Sequence, residues 1–416
     1  MSLSLTKIEF VLPGRAYPLR LSIKSSVPSD PERPRQNVCL PEWPPKANNN
    51  GLSPVMVPLC YTGGGLGMFT PIVTVASTEP GEFDIRASEV GGEENILGVV
   101  GPTHVCFPPG ELTQPLFVEL SAPLLRDWSR HKVDFHVDNW VWECRSGNQP
   151  FLEFGRSWHQ VYTTLGPPQS PWDFAAPPEP WLEVLQQACI WARGARSARD
   201  VADRITKEVY KLGEDCSSAP IEYRDGKANY VDGVFDCDAF LAYLLQHDLR
   251  RSAQVNCSDV AAIVTTFANL LGARLSQALI GRQFATQPVR LIGQRAPKAT
   301  TFIFHEIAWD GATGVADPVW DGCLAFPLSG ASSGGGHENP VGIAFGSGSA
   351  NYSSRFLANK KLAGPIGPCA GSQNRSLGPL AVKVRTLATQ PGEPVPLRNR
   401  FGAGVLHVCQ CPAHFP

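Results

Sequence analysis

The chain has 416 residues, of which 43% are hydrophobic and 18% are charged, and its 36 basic and 38 acidic side chains give a net charge of −2. This composition is typical of a globular protein that can bury a large core. It argues against nucleic acid or a membrane as a partner, because phosphate-rich surfaces are bound by a concentrated excess of Lys and Arg.

The start of the chain, MSLSLTKIEF, lacks the basic and apolar regions of a signal peptide, and no later stretch has about 18 consecutive apolar residues. Twelve cysteines are spread singly from Cys39 to Cys411, a pattern typical of free thiols in a reducing compartment. We therefore expect a cytoplasmic protein, with unconventional secretion as the alternative.

Residues 1–165 carry short apolar or alternating runs between clusters of Gly, Pro and Asn, which predicts an all-β, sandwich-like domain. The clearest predicted strands are 7–12, 17–23, 116–120, 133–137 and 158–164. Four aromatic residues of this domain suit either a core or a binding groove: Trp140, Trp142, Phe154 and Trp158. The glycine-rich run at 62–67 lacks the Lys-Ser/Thr of a phosphate-binding loop and predicts a turn.

Residues 166–180 contain six prolines, which cannot continue a helix or a central strand. We place the domain linker there. Trp172 is a candidate for docking this linker onto the domain that follows.

The remaining residues, 181–416, change to helical spacing and then return to strands. Helices are predicted over 181–193, 198–212 with Ser197 as the N-cap, 236–247, and 257–271 ended by Gly272. Strands are predicted over 301–309 and 315–320, a flexible Gly/Ser loop over 329–336, and short β segments in 380–416. Helices followed by an antiparallel sheet predict an α+β domain.

Cys257 opens the fourth predicted helix, which is apolar on more than one face and therefore belongs in a core. Unpaired N–H groups and the helix dipole favour a thiolate at such a position. A thiolate is the form that attacks a carbonyl carbon.

His305 and Asp317 lie on two predicted strands joined by a turn. A hairpin loop of three or five residues would pair them across the strands and direct both side chains to one face. A two-residue loop at Asp310 and Gly311 would pair His305 with Ala316 instead. With the odd loop, Cys257 is the predicted nucleophile, His305 the general base and Asp317 the group that orients the imidazole.

These residues resemble the transglutaminase-like branch of the papain-like thiol enzymes, over about residues 180 to 325. The matching positions are Cys257, Asp259, Ala261, Leu271, Gly272, Arg274, His305, Trp309, Asp317 and Pro318, together with the preceding helix RDVADRITKEVYKL. The resemblance implies a catalytic domain with helices packed on an antiparallel sheet. It also implies an acyl-thioester on Cys257, passed to water or to an amine.

Protein, peptide or other amide substrates fit this chemistry, which needs no metal and no organic cofactor. Gln254 and Trp309 are weaker candidates for contacts to the oxyanion or the substrate. Cys237 is a rival nucleophile, but its neighbours Asp236 and Asp238 would raise the thiol pKa.

Three further interpretations stay open. A non-catalytic binding or scaffold protein could retain the same fold, and Val255 stands where the family usually has glycine. A small-molecule acyltransferase would use the same three groups. The tail residues His407, Cys409, Cys411 and His414 are metal-ligand types, but their spacing matches no standard zinc pattern and suits one face of a strand equally well.

Overall fold

A computed structural model of the chain describes residues 3–11, 21–23, 36–38, 42–43, 58–62, 70–90, 97–118, 120–121, 132–172, 180–214, 220–225, 228–231, 235–246, 254–280, 284–310, 317–328, 336–346, 350–358 and 366–368. Within these ranges the structure is mixed α/β, with 24 strands and five helices. No helix in the described part of the chain is both long enough and apolar enough to cross a membrane.

Twelve strands precede the first helix. They are β1 Leu3–Val11, β2 Leu21–Ile23, β3 Gln36–Val38, β4 Glu42–Trp43, β5 Leu59–Thr62, β6 Thr70–Ser77, β7 Gly81–Glu89, β8 Val99–Phe107, β9 Thr113–Phe117, β10 Leu120–Ser121, β11 Asp134–Arg145 and β12 Leu152–Thr164. Two large sheets result, in the orders β4-β1-β6-β9 and β10-β8-β7-β11-β12-β5, and β2 pairs with β3.

The two large sheets share one apolar core. Phe10 and Val73 reach it from the first sheet, and Ile85, Trp140 and Trp142 reach it from the second. Because successive strand residues point to opposite faces, burial alternates along β7. The predicted sandwich of β-sheets is therefore present, and the two tryptophans belong to its core.

The rest of the described chain contains all five helices. In chain order the elements are α1 Leu182–Trp191, α2 Ala198–Lys211, β13 Glu222–Tyr223, α3 Cys237–Gln246, β14 Gln254–Val255, α4 Cys257–Leu270, β15 Ser276–Ile280, β16 Phe284–Ala285, β17 Arg290–Leu291, β18 Thr301–Phe302, β19 His305–Trp309, β20 Pro318–Trp320, β21 Leu324–Pro327, β22 His337–Glu338, β23 Val341–Ala344, α5 Tyr352–Phe356 and β24 Ile366–Pro368.

Helix α4 is the centre of this part. All of its residues are buried, because it packs against α1 and α2 and against strands β15 and β19. Those strands belong to a five-stranded antiparallel sheet with the order β23-β20-β19-β15-β24. The four predicted helices are confirmed to within a few residues.

The predicted strand over 301–309 is wrong as one element. Its beginning, β18, pairs with β16, whereas β19 pairs with β15 in a different sheet. Ile303, which separates the two strands, is 73% exposed. Alternation of apolar residues identifies a strand but does not identify its partner.

The end of the first sandwich is joined directly to α4. The N–H of Leu165 donates to the carbonyl of Leu271 at 3.2 Å, and the indole N–H of the buried Trp172 donates to the carbonyl of Thr266 at 2.9 Å. The docking predicted for Trp172 is confirmed. The domain boundaries at 165 and 180 stay a prediction.

Several predicted features lie outside the described residues. These are most of the glycine-rich run at 62–67, the Gly/Ser loop at 329–335, and the whole tail from 380 to 416 with its His and Cys residues.

Candidate active site

Cys257 occupies the first position of α4, directly after the N-cap residue Asn256 and inside a complete capping box. The side-chain oxygen of Asn256 accepts from the N–H groups of Ser258 and Asp259, and the Asp259 carboxylate accepts from the N–H of Asn256. This reciprocal cap fixes where the helix begins. It therefore fixes the position of the Cys257 side chain.

Asp259 also joins the helix to a neighbouring segment. Its two carboxylate oxygens accept from the N–H groups of Asn229 and Tyr230, each at 2.8 Å. Burial raises the pKa of Asp259 to about 6, and the backbone N–H bonds hold it below the value that burial alone would give. The carboxylate is thus ionised at pH 7, close to the first turn of α4.

The sulfur of Cys257 lies against the backbone on both sides of His305. The thiol donates to the carbonyl of Phe304 at 3.9 Å, and the N–H of Glu306 donates a hydrogen bond to the sulfur. Cys257 is only 2% exposed and His305 is fully buried. The structure therefore places the sulfur of the predicted nucleophile beside the backbone of the predicted base, across the contact between α4 and β19, and the described contacts include no hydrogen bond between the thiol and the imidazole.

The imidazole of His305 is held on three sides. The rings of Phe302 and Phe356 lie 4.8 and 5.1 Å from it, measured between ring centroids. Its Nε2–H donates to Oδ2 of Asp321 at 2.7 Å. Because a carboxylate only accepts, Nε2 carries a hydrogen. Nδ1 is buried and has no hydrogen-bond partner among the described residues.

Asp321 receives three hydrogen bonds in the core. Oδ2 accepts from His305 and also from the hydroxyl of Tyr352 at 2.6 Å, and Oδ1 accepts from the N–H of Cys323 at 2.8 Å. Asp321 is 1% exposed. A buried carboxylate with this many donors is held in one orientation.

The carboxylate on His305 is Asp321, which corrects the prediction of Asp317. Ala308 and Trp309 pair with Trp320 and Val319 in the hairpin, so each of these two residues of β19 faces a residue six positions later than in the predicted register. Residues an even number of positions apart lie on the same face of a strand. Asp321, four positions after Asp317, therefore lies on the face that was predicted for Asp317.

Asp317 lies just before β20. Its backbone carbonyl accepts from the N–H of Phe345 at 3.0 Å. Burial and the charge of Asp317 raise the pKa of the Asp310 carboxyl, so these two carboxyl groups lie near each other.

The protonation state expected for Cys257 is also corrected. Burial raises the pKa of its thiol well above the usual value, and the negative charges of Glu306, Asp321 and Asp259 act in the same direction. The bond from the Glu306 N–H lowers the pKa. Desolvation outweighs the helix dipole here, because the sulfur is almost fully enclosed. The resting side chain is a neutral thiol at pH 7.

The two weaker candidates differ in position. Gln254 precedes the cap of α4, and its side-chain oxygen accepts from Arg224 at 2.6 Å. Trp309 lies four residues beyond His305 on β19, about 13 Å further along the strand. Its indole N–H is buried and has no hydrogen-bond partner within the described part of the chain. The structure does not bring Trp309 to Cys257.

The rival nucleophile Cys237 opens helix α3 and is fully buried. Asp236, immediately before it, accepts from the N–H of Ala239 at 3.2 Å, as a helix cap does. The described contacts of Cys257 and His305 do not include Cys237.

Sequence reasoning missed Asp321, Tyr352 and Phe356. A signal for Asp321 existed, since it shares parity with Asp317 and follows it by four residues. No sequence pattern points to Tyr352 or Phe356, because α5 follows the strands of the site after a separate hairpin and loop.

The comparisons with known proteins found similarity among solved structures. No family model matches the chain, and no curated protein matches it. Among solved structures, the crystal structure of red sea bream transglutaminase is similar to 70% of this chain and 52% of that chain, with 12% sequence identity and a TM-score of 0.36. The chain thus spans about half the length of that transglutaminase. Such a weak likeness carries no information about the chemistry of the site.

Proposed function

We propose that the chain is a cysteine-dependent acyl-transfer enzyme with a transglutaminase-like, papain-like catalytic domain. The observation that carries the proposal is the buried arrangement of Cys257, His305 and Asp321. The sulfur lies against the backbone beside the histidine, and the carboxylate of Asp321 accepts from Nε2 of the imidazole.

In the proposed reaction, Cys257 Sγ attacks the carbonyl carbon of an amide or ester while Nδ1 of His305 takes the thiol proton. The same proton is then given to the leaving nitrogen or oxygen, the bond from the acyl carbon to that atom breaks, and a thioester remains. Water or an amine then gives its proton to Nδ1 and attacks the thioester, the bond from the acyl carbon to Sγ breaks, and Nδ1 returns the proton to Sγ to restore the Cys257 thiol.

A neutral resting thiol fits this sequence, because the base removes the proton only when the acyl group is in place. The N–H of Cys257 lies in the first turn of α4, where N–H groups have no partner inside the helix. We assign the oxyanion to this N–H. Protein or peptide amides are the proposed substrates, and the proposed chemistry uses no cofactor.

One observation favours a different class of function. Cys257 is only 2% exposed, as expected for a buried structural cysteine in a binding or scaffold protein. An enzyme with this site would have to open a path to the sulfur when substrate binds. The two proposals therefore differ in whether an acyl group reaches Cys257.

The test is acetylation by p-nitrophenyl acetate, mapped by mass spectrometry over all twelve cysteines. Cys106 is exposed and serves as the reference thiol within the same molecule. We expect Cys257 to be acetylated faster than Cys106. In His305→Ala the rate at Cys257 should fall by about 100-fold or more, the usual effect of a general base, with the rate at Cys106 unchanged. Acetylation of Cys257 that is slower than that of Cys106, or independent of His305, would favour the scaffold protein.

A further inference from the structure

The carboxylate of Asp321 has a second strong donor besides the histidine. The hydroxyl of Tyr352 donates to Oδ2 at 2.6 Å, and Nε2 of His305 donates to the same oxygen at 2.7 Å. Two donors on one oxygen divide its charge between them. Negative charge on Oδ2 that interacts with the Tyr352 hydroxyl is no longer available to the imidazole.

Tyr352 has little freedom to leave this position. Its side chain is fully buried, its ring stacks on Phe345 with 6.0 Å between centroids, and it also contacts Phe326 and Phe356. The next residue, Ser353, donates from both its N–H and its hydroxyl to the carbonyl of Phe345, each at 2.8 Å.

Helix α5 contacts the site with two side chains on one face. Tyr352 and Phe356 are four residues apart, and residues at that spacing are neighbours on a helix surface. Tyr352 reaches Asp321, and Phe356 covers the imidazole of His305. The helix is capped by Asn351, whose side chain accepts from the N–H of Ser354 at 2.8 Å. Helix α5 is far from Cys257 in sequence, and it packs against both Asp321 and His305.

We propose that Tyr352 is a positioning residue of the acyl-transfer site, which fixes Oδ2 of Asp321 and limits how strongly that oxygen holds the protonated imidazole of His305. The proposal rests on the function proposed for Cys257 and His305. Burial and the charge of Asp321 raise the pKa of the Tyr352 hydroxyl, so the hydroxyl remains a donor across the working pH range.

The sharing of the Oδ2 charge between Tyr352 and His305 affects the proton transfers of the proposed reaction. The base must be neutral to take the thiol proton, and it must later release that proton to the leaving group. If Tyr352 no longer donated, Asp321 would hold the imidazolium more firmly. Protonation would then inactivate the base at a higher pH than in the wild type.

The experiment compares the pH–rate profile for acetylation of Cys257 in the wild type and in Tyr352→Phe. The control is Tyr162→Phe, because Tyr162 is also fully buried and its hydroxyl accepts a hydrogen bond at 2.9 Å, from Gln160. In Tyr352→Phe the acidic limb should move to higher pH by about half a unit or more, as expected when a bond to a charged group is lost. Tyr162→Phe should leave the limb in place.

A second variant keeps the test decisive if Tyr352→Phe does not fold. Incorporation of 3-fluorotyrosine at position 352 retains the ring and strengthens the donor, so the acidic limb should move to lower pH. An unchanged limb in the folded Tyr352→Phe protein, or in the fluorotyrosine protein, overturns the proposal while His305-dependent acetylation still supports the function. If wild-type Cys257 shows no His305-dependent acetylation, the function and this inference fail together.

Discussion

Asp138 and Glu89 are two carboxyl groups of the β-sandwich that share a hydrogen bond, and Asp138 is the more buried of the two. Asp138 is 3% exposed. Burial, followed by the hydrogen bond and the charge of Glu89, raises its pKa to about 8. In the unfolded chain the same carboxyl titrates near its ordinary value of about 3.9. Between these two values the folded state holds a proton that the unfolded state has lost.

This difference predicts a pH-dependent stability. Because the native state binds the extra proton, the contribution of Asp138 to the free energy of unfolding falls as the pH rises from about 4 to about 8. Asp138→Asn cannot titrate. The difference in unfolding free energy between Asp138→Asn and the wild type should therefore increase across this range, measured by urea unfolding at pH 5, 6, 7 and 8.

The buried His159 is the cross-strand partner of Asp138, so the two groups couple at low pH. Burial lowers the pKa of His159 to about 3, so its own contribution is lost as the pH falls below about 6.5, the ordinary value for histidine. The change in the difference between pH 7 and pH 8 therefore reports on Asp138. If the difference in unfolding free energy between Asp138→Asn and the wild type is constant from pH 5 to 8, Asp138 and Glu89 share no proton in the folded protein.

At the scale of elements, the start of α4 is the feature that the sequence predicts best. Asn256, Cys257 and the apolar residues that follow specify both the cap and the buried helix, and Gly272 ends it at a φ of 97°. Local rules suffice here, because a cap depends on residues within one turn. The positions of Cys257 and of the first-turn N–H groups follow from them.

The hairpin of β19 and β20 could not be predicted in the same way. Alternation fixes which face a residue occupies, but the register depends on how many residues the loop takes, and the segment from Asp310 to Asp317 contains two glycines that suit several loops. The face of the acidic partner was therefore predictable and its identity was not. Tyr352 depends on the packing of α5, which no local pattern encodes.

Two helix caps differ in burial, and they should differ in how much they contribute to the free energy of unfolding. Asp259 in α4 and Asp200 in α2 each occupy the third helical position after the N-cap. Asp259→Ala would leave the N–H groups of Asn229, Tyr230 and Asn256 without this acceptor in a buried region. We expect a loss of about 3 kcal/mol or more in unfolding free energy.

Asp200→Ala is the matched control for that measurement. The Asp200 side chain is 35% exposed and pairs with Arg204 on the surface, where water replaces lost partners. The expected loss is about 1 kcal/mol or less. Equal losses for the two variants, measured by urea unfolding at pH 7, would contradict the view that Asp259 ties residues 229 and 230 to the helix.

At the scale of the whole molecule, the sandwich and the helical part are joined where β12 ends against α4. An ideal Cβ on Gly272 would lie 2.7 Å from the nitrogen of Gly166. The two backbones approach so closely that only glycine fits, in addition to the positive φ. This contact joins residues that are far apart in the chain.

Gly272→Ala should therefore destabilise the protein more than a comparable glycine substitution. Gly110 has a similar φ of 90°, but nothing lies within 4 Å of its ideal Cβ. Gly110→Ala is expected to cost about 1 kcal/mol from backbone strain alone. Gly272→Ala should cost about 2 kcal/mol more, the range seen for overpacking. If thermal unfolding shows equal losses of stability for Gly272→Ala and Gly110→Ala, the backbones at Gly272 and Gly166 can separate without a cost in free energy.

The central claim, that Cys257, His305 and Asp321 work as one acyl-transfer site, is tested most directly by comparing Asp321→Asn with Asp317→Asn. The measurement is the rate of acetylation of Cys257 by p-nitrophenyl acetate at pH 7, after circular dichroism has shown that both variants are folded. Asp321→Asn should lower the rate by about 100-fold or more, because an amide no longer holds the imidazole in the reactive tautomer. Asp317→Asn should react like the wild type. A large loss in Asp317→Asn with a normal rate in Asp321→Asn would contradict the account.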